Sequence, residues 1–522
     1  MSTAYISLGG NDGSAVIDDP LLPFRTLNAA EAVVANADTI EFGNGVYAGA
    51  DIQCNGATGY ALIDKALTLK ATNSKQVTIS PSVSTAAFRL NGNWSGDDLS
   101  VEGIIFDDSD AAPNYPIWCA NSSATKGALT VKDCEFTNPV FYSVYIDNSG
   151  DAMDVTLDNC RHTDGGRGLL NAVNLTDGNI IVTNNCSAAF SAKTNSTPAI
   201  DIDASAAGVT ALVERFTLNM TLGLSAPVQE FGGVRIRNID DAVISLCDLT
   251  ASAAGANGSA SLATIDCDDG ALTAHRGVIK NNTGSNNANG GFLARIGHDV
   301  SAAGDDRANN GCIFNNKFSG GDTFRDNSGH ALFFGNVTDG VSSFNYVSKV
   351  GLGLLCKGAT GGGHFSNTVS KFGNSTGVGS GIQSKGSANV KYYGNLIEID
   401  EDCFGSAFQA GPNGATNNSG IDVSGNTFNV TKDTASNLAI IAESDNNQLV
   451  AYSLNNYLLI NGESSLTSAS PFVIGTTTYA TAALYKSGNE TDANIDLAPI
   501  ALVSGGSGST TSSIITKNII GR

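Results

Sequence analysis

The chain has 522 residues, with 50 acidic against 28 basic side chains, a formal charge of −22, and 60 glycines but only 11 prolines and 3 methionines. So negative a surface repels nucleic acid and anionic membranes, and no apolar run approaches the length of a membrane-spanning helix, so neither nucleic acid nor membrane insertion is expected. With 41% hydrophobic residues the chain has material for a long core, which excludes wholesale disorder.

Met1-Ser2-Thr3-Ala4-Tyr5 lacks the basic-then-apolar layout of a signal peptide. That fits synthesis in the cytosol, although a chain trimmed of its leader reads the same. Residues 1–18 are polar and read as an extension or docking arm. From 19 to 48, Pro23 and Thr26 start a short helix whose apolar face is Leu27, Ala30, Val33 and Val34, and Thr39 to Phe42 then alternates as a strand before the Gly43–Gly45 turn. So short a helix cannot stand alone and is expected to lid the open end of a stack of strands.

From 49 to 460 short strand-like runs recur, beginning with Leu67-Thr68-Leu69, Val77-Thr78-Ile79 and Leu99-Ser100-Val101. Cys134, Cys160 and Cys186 follow at steps of 26 and 26 residues, and Asn316, Asn345, Asn367, Asn395, Asn426 and Asn456 hold the same slot at steps of 29, 22, 28, 31 and 30. A fixed slot at such spacing is the signature of a solenoid. Asn suits a turn because it tolerates a left-handed backbone and bonds its neighbours' peptides, so stacked Asn can form a ladder, whereas the cysteines, none in a Cys-x-x-Cys pair, read as small buried hydrophobes.

A second strand in each coil aligns as Val144-Tyr145-Ile146-Asp147, Ile200-Asp201-Ile202-Asp203, Val234-Arg235-Ile236-Arg237, Ile265-Asp266-Cys267-Asp268, Ala294-Arg295-Ile296-Gly297 and Leu332-Phe333-Phe334-Gly335. Leu354 to Lys357, Ile382 to Lys385 and Phe408 to Gly411 continue the series. Alternation with one apolar face, and no helix-length pattern between strands, predict an all-β parallel β-helix of about fourteen coils, a rod roughly 65 Å long. Residues 461–522 lose the rhythm, with a Gly/Ser/Thr linker at 504–513 and an apolar tail, Ile514 to Ile520, readable as a frayed end or as a strand that pairs with a sister chain.

Pro23-Phe24-Arg25-Thr26-Leu27, Asp38-Thr39-Ile40 and Gly45-Val46-Tyr47 resemble, in this order, the opening of right-handed parallel β-helix proteins of the pectate-lyase-like kind. The resemblance covers under a tenth of the chain. It implies a right-handed single-stranded parallel β-helix with a short N-terminal capping helix, and speaks to fold rather than activity.

The outward positions of the aligned strands form two columns, Asp201, Arg235, Asp266, Arg295 and Asp203, Arg237, Asp268, Gly297. Asp203 and Asp268 then stand two rungs apart, roughly 9.6 Å, and Asp266 and Asp268 roughly 7 Å apart along one strand. These values bracket the separation of about 6.5 to 9.5 Å at which two carboxyls flank a sugar and a water in inverting hydrolysis. Asp203, Asp266 and Asp268 are the catalytic candidates; Arg235, Arg237, Arg295, His298, Lys357 and Lys385 are candidates for substrate binding, with Gly297 leaving an open floor beside His298. An interleaved arginine keeps one carboxylate ionised, while crowding of the acids raises the pKa of another. The plain alternative is that alternating sign is what any exposed charged ladder needs in order to fold.

Asp268-Asp269, Gly297-His298 and Gly381-Ile382-Gln383-Ser384-Lys385 also resemble, in order, the site strands of polygalacturonases, with Gln383 where Arg is expected. For a lyase, Lys385 with Lys357 is the pair this face offers. The other histidines, His162, His275, His330 and His364, read as surface or turn residues. No metal or cofactor is called for; Asp266-Cys267-Asp268-Asp269 and Asp400-Glu401-Asp402 are the stretches whose ligands suit Ca²⁺.

A leaderless, acidic, Gly/Asn/Ser-rich β-helix with a Ser/Gly linker to an apolar tail looks like a bacteriophage tail spike or tail fibre protein. That resemblance implies a homotrimer on a virion, joined to other tail proteins, that binds a bacterial surface glycan, either as a binder alone or as a hydrolase that also cleaves it. A secreted polysaccharide hydrolase or lyase and a purely structural virion or surface protein are the alternatives.

Overall fold

A computed structural model describes the chain except residues 57–59, 82–85, 92–96, 108–114, 120–126, 148–151, 196, 205–207, 224–231, 240, 254–257, 267–275, 298–309, 435–437, 445–447, 449, 452–455, 461–471, 475–476, 480–500 and 505–522. The described residues form a right-handed parallel β-helix of three sheets, each with sixteen strands. One coil shows the plan. Leu129–Lys132 lies in sheet I, Glu135–Thr137 in sheet II and Tyr142–Asp147 in sheet III, and the chain then returns to sheet I as Val155–Asp158, with Leu129 beside Val155. At one rung per roughly 4.8 Å the rod is about 70 Å long, slightly more than the fourteen coils expected.

Most strands alternate inward apolar and outward polar residues, and the inward ones stack into columns, as where Phe106 lies flat on Phe136 with ring centroids 5.2 Å apart. At the first end, Thr26 caps the helix Leu27–Val33 by accepting from the Ala29 amide at 3.3 Å. Leu27, Ala30 and Val34 are buried, but Val33 is 51% exposed and Glu31 takes the inward place instead, paired with Lys65 at 3.2 Å. The spacing explains the correction: 27, 30, 31 and 34 share one helical stripe, and 33 falls off it. Residues 1–18, expected as an extension, contribute the strand Thr3–Ile6, which pairs in register with Thr39–Phe42. At the far end the coil runs past 460, since Phe472–Ile474 joins sheet III and Ala501–Ser504 joins sheet II. The tail at 514–520 lies outside the described residues.

The tight corner between sheets I and II explains the repeated slot. The residue before the slot takes the left-handed conformation, as at Asp133, Asn159, Arg215, Leu246, Asn281, Asn315, Phe344 and Ser366. The slot residue points inward, so of the two properties expected to suit Asn here, tolerance of a left-handed backbone and bonding to neighbouring peptides, it is the second that the fold uses. Where the slot holds Cys or Asn, the side chain donates to the carbonyl three residues before the slot of the preceding coil; Phe216 fills the slot with an apolar ring instead. Cys160 Sγ gives to Val131 O at 3.2 Å and Cys186 Sγ to Leu157 O at 3.4 Å. Asn316 Nδ2 gives to Ile279 O at 3.0 Å and Asn345 Nδ2 to Ile313 O at 2.8 Å. Asparagine does more, because its Oδ1 also accepts from the amide and the side chain of the preceding ladder member: Asn367 Oδ1 takes Asn345 N at 3.1 Å and Asn345 Nδ2 at 2.8 Å. The ladder runs unbroken through Asn282, Asn316, Asn345, Asn367, Asn395, Asn426 and Asn456. Among the described residues every cysteine is a free thiol.

Two histidines expected at the surface are core residues. His162 and His364 are fully buried, and each has Nδ1 against a serine hydroxyl, Ser143 at 2.8 Å and Ser342 at 2.6 Å. His162 sits two residues after the Cys160 slot, beside Phe136 on the neighbouring rung, so the cysteine repeat itself marks it as inward. Burial pushes both imidazoles down to about 3, with Lys193 adding to the effect at His162.

Two outcomes follow from this interior. Asn367→Ala strands the amide and side chain of Asn345 and is expected to lose about 3 kcal/mol or more in chemical denaturation, whereas Asn367→Cys, which restores the donor to Ser342 O, loses less. The histidines bind a proton more readily when unfolded, so stability is full above the unfolded value near 6.5 and falls as pH drops toward 3. At pH 4.5 each is expected to cost about 2 to 3 kcal/mol relative to pH 7, and His162→Phe should flatten the pH dependence.

Candidate functional site

The outward face of sheet III carries two columns of side chains. Strand register sets them. Asp201 faces Arg235, Arg235 faces Thr264 and Thr264 faces Arg295; beside them Asp203 faces Arg237 and Arg237 faces Asp266. Eight of the nine strands aligned from sequence fall in the expected register, and one does not: the strand Ala263–Asp266 is displaced by two residues. Asp266 therefore leaves the column of Asp201 and takes the place assigned to Asp268. Apolar-polar alternation repeats every two residues, so a two-residue slip preserves the pattern while changing the vertical neighbour. Asp268 and His298 lie outside the described residues.

The second column continues through Gly297, Gly335, Lys357 and Lys385, in register, to Gly411. Thus Asp203, Arg237, Asp266, Lys357 and Lys385 share one line, with Arg235 and Arg295 in the adjacent one. Gly297 is no open floor. Its φ of +83° is a left-handed value, and a Cβ there would collide with the Gly335 carbonyl oxygen, so glycine serves close backbone approach.

The charges are paired along the ladder. Arg235 clasps Asp201 with Nε at 3.0 Å and Nη2 at 2.8 Å, Arg237 Nη2 meets Asp203 at 2.8 Å, and Arg295 Nη2 meets Asp266 at 2.5 Å. Asn171 and Asn238 donate to Asp201 and Asp203. Burial divides these pairs. The Asp266 and Arg295 side chains are 1% and 2% exposed, with Arg295 also over the Phe292 ring at 4.9 Å. Asp203 and Arg237 keep 24% and 19% of their surface. Of Asp203 and Asp266, Asp203 is therefore the accessible carboxyl, and its pKa lies above the usual carboxylate value because burial outweighs the neighbouring Arg237. Crowding by a second acid, the expected cause, is a lesser contributor through Asp201.

The adjacent column, that of Asp201 and Arg235, changes character along the rod. Before Asp201 it reads Arg89, Trp118, Tyr145 and Asn171; beyond Arg295 it reads Phe333 and Leu355, which pack with Phe292 into a small apolar cluster outside the main core, then Gln383 and Gln409. The aromatic members were legible in principle, since Ile117-Trp118-Cys119 extends the alignment by one rung. Among the described residues no three His, Cys, Asp or Glu side chains gather as metal ligands. In the second Asp-rich stretch, Glu401 and Asp402 bind Lys432 at 2.9 Å and Lys371 at 2.8 Å instead.

No protein-family model and no curated protein matches the sequence. Among solved structures, a PL6 alginate lyase in complex with a trisaccharide is similar over 71% of this chain and 81% of its own, at 12% identity and a TM-score of 0.39. The A-module of the Azotobacter vinelandii mannuronan C-5 epimerase AlgE4 covers 96% of this chain and 100% of its own, at 10% identity and a TM-score of 0.28. A mannuronic acid specific family 6 lyase from human gut microbiota covers 91% and 87%, at 12% identity and a TM-score of 0.25. Likeness at this level leaves the function of this chain to its own residues.

Proposed function

We propose that the chain is the glycan-binding rod of a virion tail spike or tail fibre, assembled as a homotrimer with other tail proteins and laid against a bacterial surface polysaccharide. The observation that carries the reading is the outward face of sheet III, where Asp203 and Arg237 on adjacent rungs, and Lys357 and Lys385 on adjacent rungs further along, share one column. A polymer of repeating sugars meets such a face with repeating hydroxyl and acidic groups. Carboxylates accept from hydroxyls, guanidinium and ammonium groups donate, and a rigid backbone holds the spacing without ordering cost on binding.

Cleavage is the second reading, favoured by one observation: Asp203 is both accessible and biased toward its protonated form. In that reading Asp203 gives its proton to the glycosidic oxygen. Asp266, two rungs away at roughly 9.6 Å, has the spacing of an inverting base, but its burial against Arg295 makes it first of all the counter-ion that fixes that guanidinium. A route through Lys357 and Lys385 would instead be elimination, with one amine as base.

Capsular polysaccharides and lipopolysaccharides from candidate hosts, incubated with the protein, are expected to bind it, and hydrolysis would show as new reducing ends without an unsaturated sugar. Asp203→Asn is then expected to slow product formation at least about 100-fold while leaving binding within a few-fold, and the wild-type rate should fall as pH rises through the raised Asp203 value. Undiminished turnover by that variant overturns the acid assignment. A stable monomer in light scattering overturns the spike assembly.

A further inference from the structure

The face that bears the charged ladder carries a second feature two rungs before Asp201. Tyr115, Trp118 and Tyr145 lie on neighbouring strands of sheet III, with the Tyr115 and Tyr145 rings stacked at 4.4 Å and Trp118 tilted 5.8 Å from Tyr115. Phe141, on the corner leading into the same strand, completes the group at 5.4 Å from Tyr115. Arg89 lies over the Trp118 ring at 4.7 Å and Arg167 over Phe141 at 4.2 Å. All six are half-buried, so each keeps part of its surface in water.

Two facts separate this group from ordinary packing. It lies on the outward face, away from the interior columns that hold the fold together. Second, among the described residues Arg89 and Arg167 form no ion pair, in a chain of charge −22 whose other arginines on this face, Arg235, Arg237 and Arg295, all clasp carboxylates. Among the described residues the Trp118 Nε1–H and the Arg89 Nε–H also find no hydrogen-bond acceptor. Asp147, which accepts from the Tyr145 hydroxyl at 3.3 Å, borders the group on one side.

We infer that Tyr115, Trp118, Phe141 and Tyr145, with Arg89 and Arg167, form a binding platform for carboxylate-bearing sugar units, such as hexuronates, of the same polymer that runs along the ladder. The apolar C–H face of a pyranose ring lies against the flat aromatic surface, and the guanidiniums receive the carboxylate. Trp118 and Tyr145 share a column with Asp201 and Arg235, so successive sugars can pass from the platform to the ladder without a turn. The inference rests on the glycan-binding reading and narrows it to an anionic polymer.

The chain has two tryptophans, Trp94 and Trp118, so a Trp94→Phe background makes Trp118 the single reporter. Oligogalacturonate and oligomannuronate are titrated against their carboxyl-reduced, neutral counterparts, by Trp118 emission and, for the chain with both tryptophans, by calorimetry. The acidic forms are expected to change Trp118 emission and to bind about 10-fold or more tighter than the neutral ones. Arg89→Gln with Arg167→Gln should abolish that preference, and Trp118→Ala should weaken calorimetric binding about 10-fold or more. Equal affinity for acidic and neutral forms, calorimetric binding that leaves Trp118 emission unchanged, or no binding of any of the four probes overturns the platform. Reducing ends released from a host polysaccharide by a Trp118→Ala variant at the wild-type rate would leave the glycan reading standing and the platform refuted. An emission response to the acidic probes with no host polysaccharide bound would do the reverse.

Discussion

The structure depends on one constraint: every coil turns a sharp corner between sheets I and II inside the protein, and the peptide groups at that corner are cut off from water. They must find partners in the next coil, and wherever the slot holds Cys or Asn its side chain supplies one. Cysteine meets the need with a weak donor to the carbonyl below and, at Cys186, a weak acceptor for the Cys160 amide. Asparagine meets it with the same donor plus an acceptor for the coil on the other side, so seven asparagines close into a continuous ladder. Exchange of Cys for Asn along the rod is thus a change in how many bonds one position makes, with the fold unchanged. In-register stacking is a consequence, because the side chain and carbonyl meet only when successive coils align.

The same register builds the outward face. Once the corners fix the coils, residues about thirty apart in sequence become neighbours, and Asp203, Arg237 and Asp266 fall in line. Alternating sign there is first a condition of folding, since like charges on adjacent rungs repel. What turns part of that ladder into a candidate site is the gradient of exposure along it. Asp266 with Arg295 is sealed and Asp201 nearly so, whereas Asp203 with Arg237 still meets solvent. Function on this rod is therefore a matter of where the covered ladder opens.

Along the rod the face passes from aromatic and cationic, through charged pairs, to apolar and then amide side chains. A linear polymer lying on it would meet these zones in order. The histidine pairs inside the core set a separate requirement, since His162 and His364 stay neutral only because burial holds them so. A rod built this way couples its interior to acidity independently of what its outer face meets.

Much of the fold is legible in the sequence because a solenoid repeats its chemistry: the Cys and Asn slots, the alternation from Val144 to Gly411 and the cap at Thr26 each mark an element by local pattern. The inward Glu31 and His162 were readable from spacing alone, though residue type argued the other way. What no local pattern could supply is the two-residue displacement of Ala263–Asp266, because alternation is unchanged by an even slip and the turn geometry of the whole coil sets the register. Exposure is likewise a tertiary quantity. The sequence by itself determined that the strands stack and which side chains face outward; only the assembled coils decided which acid stands above which base and which of them meets water, since both depend on groups tens of residues away.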